Sequence, residues 1–109
     1  MKDFITLGST PYNEDCVQVS SDIPYLNEMK KECYRFKRGI ENYFKKEIET
    51  GITLRVKTFP HDFGQYCEVV VFYDDSNDAQ SDAAYRIEDK VPGTWEELEK
   101  DVNDNRETA

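Results

Sequence analysis

Residues Phe59–Tyr73 read FPHDFGQYCEVVVFY, and the parsing of this stretch decides the fold. Val69, Val70, Val71 and Phe72 form an unbroken apolar run, the pattern of an inner strand that is covered on both faces or of one at a broad edge. Just before it, Ile52, Leu54 and Val56 alternate with Thr53, Arg55 and Lys57, the pattern of a strand with one buried and one wet face. Six residues, Pro60–Gln65, are left to join the two, a longer connection than a tight hairpin needs. The stretch also holds His61, the single histidine of the chain, next to Asp62, with Cys67 six residues on.

Upstream lies a long helical pattern. Asp22 is placed to cap it and Pro24 falls in its first turn, where a missing N–H is harmless. Leu26, Met29, Cys33, Phe36, Ile40, Phe44 and Ile48 then recur in steps of three and four and draw one stripe. Gly51 is suited to end the helix in the left-handed conformation. Gly39, in its middle, costs roughly 1 kcal/mol relative to alanine. At the N-terminus, Phe4–Leu7 reads as a short strand, 8–15 as a loop rich in turn formers, and Cys16–Val19 as a second short strand.

Downstream, Ser76-Asn77-Asp78 supplies candidate caps for a shorter helix over about Ala79–Lys90, with Ala83, Ala84, Ile87 and Val91 facing inward. Pro92-Gly93 stops it. Thr94 and Glu97 fit a capping box for one further turn, which lays Trp95 toward the core. The order is β-β-α-β-β-α, a two-layer α+β fold in which an antiparallel sheet carries a long and a short helix. Residues 1–98 make a single domain, and 99–109 a polar, acidic, frayed tail.

The 109 residues carry a net charge of −9 and it is unevenly spread. From Asp74 onward there are twelve acidic against four basic side chains, whereas Glu28–Thr50 has seven basic against five acidic. A chain this acidic is not expected to bind a nucleic-acid backbone, which needs clustered cations. Glutamates interleave the basic helix, so its charged side reads as a solvated face. No apolar run is long enough to span a membrane, and no basic-then-apolar leader opens the chain. A cytoplasmic protein is the expectation. Three cysteines, odd in number and without a CxxC pair, read as reduced thiols.

Several features fit one further pattern. Gly8-Ser9-Thr10-Pro11, Glu14-Asp15-Cys16-Val17-Gln18-Val19, His61-Asp62-Phe63-Gly64-Gln65-Tyr66-Cys67-Glu68-Val69, Tyr73-Asp74-Asp75 and Ala84-Tyr85-Arg86-Ile87-Glu88, followed by Pro92 and Trp95, resemble a family of small bacterial proteins. Such proteins travel with plasmids, prophages and other mobile elements. The resemblance runs as far as Trp95. It implies a mobile-element context and brings no catalytic residues.

The candidate chemistry is sparse. His61-Asp62 with Cys67 matches a base and nucleophile in kind, but neighbours in an extended chain point in opposite directions, and no oxyanion site accompanies them. Pro60, His61, Asp62 and Gly64 read more simply as turn formers. Asp74-Asp75-Ser76-Asn77-Asp78 lacks the glycine and the glutamate of a calcium loop. No cofactor, metal or phosphate-binding motif is present, so no enzyme is expected.

The expectation is a small binding protein whose partner is a protein with a basic surface. Its concrete form is a mobile-element inhibitor of a host nucleic-acid-targeting defence complex, of the anti-CRISPR or anti-restriction type, acting through Asp74, Asp75, Asp78, Asp82, Glu88 and Asp89. His61, Asp62, Phe63 and Tyr66 form a secondary candidate surface, rich in aromatic anchors. The competing readings are a small enzyme or ligand-binding domain centred on the His61-Asp62 loop, and an accessory protein whose acidity serves only solubility.

Overall fold

The computed structural model describes residues 2–10, 17–19, 26–61 and 64–92. Strands β1 (Lys2–Thr10), β2 (Val17–Gln18), β3 (Thr53–His61) and β4 (Gly64–Asp74) form one sheet in the order β2-β1-β4-β3. Helices α1 (Leu26–Tyr43), α2 (Lys45–Ile48) and α3 (78–92) accompany it, and their buried side chains share one core with one face of the sheet. This is the two-layer α+β architecture. The three long strands are antiparallel, and the two-residue β2 runs parallel to β1.

β4 is the inner strand its apolar run implies, with β1 on one side and β3 on the other. Val69, Val71 and Tyr73 face the helices, where they meet Ile5, Leu54 and Val56. Val70 points the opposite way and is equally buried. The hairpin is tighter than the sequence suggests. Pairing continues through Pro60↔Gln65 to His61↔Gly64, so Gly64 opens β4 instead of forming a six-residue loop with Pro60. Pro60 fits inside β3 because β3 is the edge of the sheet, where a missing N–H costs no ladder bond.

β1 is also longer than its apolar core. Gly8, Ser9 and Thr10 belong to the strand, not to a loop, and pair with Val69, Glu68 and Cys67. The register shifts between Thr6 and Gly8, so Leu7 is the extra residue of a bulge. That shift brings Leu7 and Gly8 to the helix side in succession. A Cβ at Gly8 would lie 2.9 Å from Val19 Cγ2 and 3.0 Å from both Phe36 Cε1 and Phe36 Cζ. The missing side chain is the space in which the Phe36 ring rests on the sheet.

The helical stripe is buried as its spacing requires: Met29, Cys33, Phe36, Ile40 and Phe44 are all in the core, with Ile48 packed against it. It is carried by two helices, not one. At Phe44 the backbone leaves the helix (φ −107°, ψ 46°), and the Tyr43 and Phe44 rings meet edge to face at 4.9 Å. Hydrogen bonds from Phe44 N to Ile40 O and from Ile48 N to Phe44 O keep the stripe continuous across the break. Asp22 and Pro24 lie outside the described residues. On the wet side, Arg35–Glu32 and Lys37–Glu41 pair along the helix at 2.7 and 3.0 Å, as the interleaved charges suggest.

Gly51 takes φ +103°, the one left-handed residue among those described, and turns the chain from α2 into β3. Gln80 locks that turn. Its Oε1 accepts from Asp74 N at 2.9 Å and its Nε2 donates to Thr50 O at 3.1 Å, so one amide joins the end of β4, the α2–β3 turn and α3. A Cβ at Gly51 would sit 2.8 Å from that Nε2. Gly51→Ala is therefore expected to cost about 1–3 kcal/mol, combining left-handed strain with loss of the clasp. Urea midpoints compared with Gln80→Ala check it; if the two losses add fully in the double variant, the shared clasp is wrong.

Candidate functional site

α3 begins in a stack of side-chain caps. Asp74 Oδ1 accepts from Ser76 N at 3.0 Å and from Ser76 Oγ at 2.6 Å, and Asn77 Oδ1 then accepts from Gln80 N at 3.2 Å. The Ser76 hydroxyl and amide hold the Asp74 carboxyl down at about 2. Ala83, Ala84, Ile87 and Val91 turn inward and are buried, in full agreement with the sequence pattern.

At ~100° per residue, the opposite face collects Asp78, Asp82, Tyr85 and Asp89 into a sector of about 60°, with Glu88 beside it. All five side chains are exposed, as is Asp75 in the preceding turn. Among the described residues, Asp78, Asp82, Glu88 and Asp89 have no ion-pair partner; Arg86, one of the two α3 cations, faces Glu47 of α2 at 3.5 Å. The acidic candidates therefore divide. Asp78, Asp82, Glu88 and Asp89 present carboxylates outward and Asp75 is exposed in the preceding turn, while Asp74 spends one carboxylate oxygen on starting the helix.

Tyr85, which composition and spacing do not single out, sits in the middle of this face and is 55% exposed. Its ring meets Tyr73 of β4 edge to face, with centroids 5.9 Å apart. The buried Tyr73 hydroxyl lies 3.3 Å from the Tyr85 hydroxyl and 3.5 Å from Asp3 Oδ2. The bond to Tyr85, burial and the Asp3 charge all push the Tyr73 phenol upward. Tyr85 is thus an exposed aromatic side chain held in place from below.

The hairpin candidates separate from Cys67. Asp62 and Phe63 lie outside the described residues, as do the side chains of His61 and Tyr66. By register, His61 stands three positions along β3 from Thr58, the residue opposite Cys67, about 10 Å of strand. Cys67 itself faces the core, flanked by Thr10 and Thr58 and close to Cys33 of α1. Burial, and then the neighbouring Cys67, push the Cys33 thiol up to about 12; burial raises Cys67 as well. Among the described residues no group of three His, Cys, Asp or Glu side chains is placed to hold a metal ion, and no helix is long and apolar enough to cross a membrane.

These thiols set two expectations. In a Cys16→Ser background, Cys33 and Cys67 should resist a thiol-exchange reagent until denaturant is added: both are buried, and for Cys33 a pKa near 12 leaves a thiolate fraction of about 10⁻⁴ at pH 8. Rapid labelling of the folded protein would contradict the packing. Secondly, an unfolded Cys33 ionises near 9 while the folded one holds its proton to about 12. Between those values the unfolded state binds fewer protons, so stability is complete below pH 9 and falls as pH rises through the window. Tyr73, also raised, acts with the same sign. Urea midpoints at about pH 8 and 10.5 should drop in the native sequence and drop less in Cys33→Ala.

Compared with protein-family models, curated proteins and solved structures, the chain matches none.

Proposed function

We propose that this is a protein-binding module whose contact surface is the outward face of α3, and whose partner is a protein with a cationic groove shaped for a nucleic-acid backbone. The reading is supported chiefly by Asp78, Asp82, Glu88 and Asp89, carboxylates that are exposed and not ion-paired to any described residue. Unneutralised like charges on one helix face carry a repulsive cost that a basic partner relieves. Tyr85, held by Tyr73, supplies the kind of rigid aromatic anchor that carries interface energy.

Charge density limits the mimicry. Asp78, Asp82 and Asp89 span about 16 Å of helix, a mean spacing of roughly 8 Å, against one charge per ~1.7 Å along duplex DNA. The face can occupy a few phosphate positions, and specificity has to come from Tyr85 and shape. Taken with the mobile-element resemblance, the biological form is an inhibitor of a bacterial nucleic-acid-targeting defence complex.

The test is competition. Immobilised protein is offered bacterial host lysate at about 50 mM and about 500 mM salt, and any captured partner is then challenged with DNA. Capture at low salt, release at high salt and displacement by DNA are expected. No capture, or a partner indifferent to salt and DNA, overturns the reading.

A further inference from the structure

The two long helices carry the same outward pattern with opposite charge. At ~100° per residue, Asn27, Lys31, Tyr34 and Arg38 of α1 fall in a sector of about 60°. The buried Met29, Cys33, Phe36 and Ile40 lie on the opposite side of the helix. All four outward residues are exposed, and neither Lys31 nor Arg38 is ion-paired to a described residue. Their spacing repeats that of Asp78, Asp82, Tyr85 and Asp89 on α3. Tyrosine stands third in both sets, flanked by Lys31 and Arg38 on α1 and by Asp82 and Asp89 on α3. The remaining charges do not blur the contrast. On α1, Arg35 and Lys37 hold Glu32 and Glu41, which leaves Glu28 as an unpaired acid at the N-terminal edge of the strip. On α3, Arg86 and Lys90 fall to one side of the acidic sector, and Arg86 faces Glu47. Short α2 adds exposed Lys45 and Lys46, followed by exposed Glu49.

We propose that these strips dock on each other between two copies of the chain, forming a symmetric dimer. The topology permits the exchange. α1 and α3 bury their inner sides in one core on one face of the sheet, so both strips point away from it. Three chain reversals, at Gly51, between β3 and β4 and after Asp74, lead from α1 to α3, so the two run in roughly opposite directions. A two-fold axis along the helices then lays α1 of each copy antiparallel on α3 of the other, and the contact is made twice. With Tyr34 on the partner's Tyr85, Lys31 meets the partner's Asp89 and Arg38 meets the partner's Asp82. The offsets from the tyrosine differ by one residue, about 1.5 Å, well within side-chain reach. Each strip is about 16 Å long on a helix about 10 Å wide, small for a specific interface unless doubled in this way. Two chains of net charge −9 repel at long range, but a Debye length of about 8 Å at 0.15 M salt screens that repulsion more than pairs in contact. The dimer needs no host protein. It adds to the function proposed above that a basic partner competes with a second copy for the α3 face.

The test is a charge exchange read by sedimentation equilibrium of the purified full chain at about 0.15 M salt. The native protein is expected to reach twice the monomer mass as concentration rises, and to return to one copy at about 1 M salt. Lys31→Glu with Arg38→Glu makes both strips acidic, and Asp82→Lys with Asp89→Lys makes both basic. Each double variant alone should stay monomeric, whereas their equimolar mixture should recover the doubled mass, because every contact is again between opposite charges. A native chain that is monomeric up to about 0.5 mM overturns the proposal, as does a mass that grows beyond two copies. So does a folded double variant that still dimerises alone, or a mixture of folded variants that stays monomeric. Should either variant fail to fold, the mass and salt dependence of the native chain decide. Lys31→Glu with Arg38→Glu leaves the α3 face untouched, so its capture from host lysate reads the proposed function separately.

Discussion

Gly8→Ala is expected to destabilise the protein by about 1–3 kcal/mol, lowering the melting temperature by roughly 5–15 °C. One methyl group does this because its site is already filled. The new Cβ lands 2.9 Å from Val19 Cγ2 and 3.0 Å from two carbons of the Phe36 ring. Phe36 is 2% exposed and lies among Cys33, Ile40 and Val69 in the core, so it has little room to retreat. Gly8 has no left-handed torsion to protect, so the effect is one of space alone. Alanine in fact shrinks the unfolded ensemble and should stabilise by about 0.4–1 kcal/mol; a net loss therefore measures the collision. Phe36→Leu separates the causes. Alone it leaves a cavity and costs about 1–2 kcal/mol. Combined with Gly8→Ala it should cost at least about 1 kcal/mol less than the sum, since each change makes room for the other. Simple additivity in urea melts would show that the ring does not rest on Gly8.

Gly8 also marks the boundary of what the sequence can reveal. The helical stripe from Met29 to Ile48, the inward face of α3 and the left-handed Gly51 follow from periods of three and four and from one residue's torsional freedom, all local properties. Strand pairing is not local. Gly8-Ser9-Thr10 carries turn residues and reads as a loop, yet β4 offers a continuous ladder and a bulge at Leu7 lets the strand follow it. Pro60 and Gly64 mislead in the same way. Each is a turn former in isolation, but an edge position removes the penalty on Pro60 and extends the hairpin to His61↔Gly64. The same divide runs through the candidate surfaces. Asp78, Asp82 and Asp89 share a face by helical spacing and are legible as such. Tyr85 acquires meaning only through Tyr73 and Asp3, partners set by register across the sheet.

The acidic face offers the sharpest separation of function from stability. Asp82→Lys, Glu88→Lys and Asp89→Lys together move the net charge from −9 to −3, two charges at each of three sites. All three side chains are exposed and none is ion-paired to a described residue, so each is expected to change stability by no more than about 0.5 kcal/mol. Lysine at 88 and 89 lies toward the C-terminal end of α3, where the helix dipole favours cations. Binding to a cationic groove should nevertheless be lost, because attraction becomes repulsion at every site. Asp74 must stay out of the set: its carboxylate caps Ser76 and, with its pKa held at about 2, remains charged at any ordinary pH. Asp78, the first residue of α3, stays for the same reason, since an anion there complements the helix dipole. Tyr85→Phe is the companion variant. It keeps the ring and removes the hydroxyl, so a drop in affinity with unchanged salt dependence would assign Tyr85 a contact of its own within the acidic face. A triple variant that folds as before and still captures the partner would refute the electrostatic reading; one that loses its fold would place these carboxylates in the architecture and leave the face without its function.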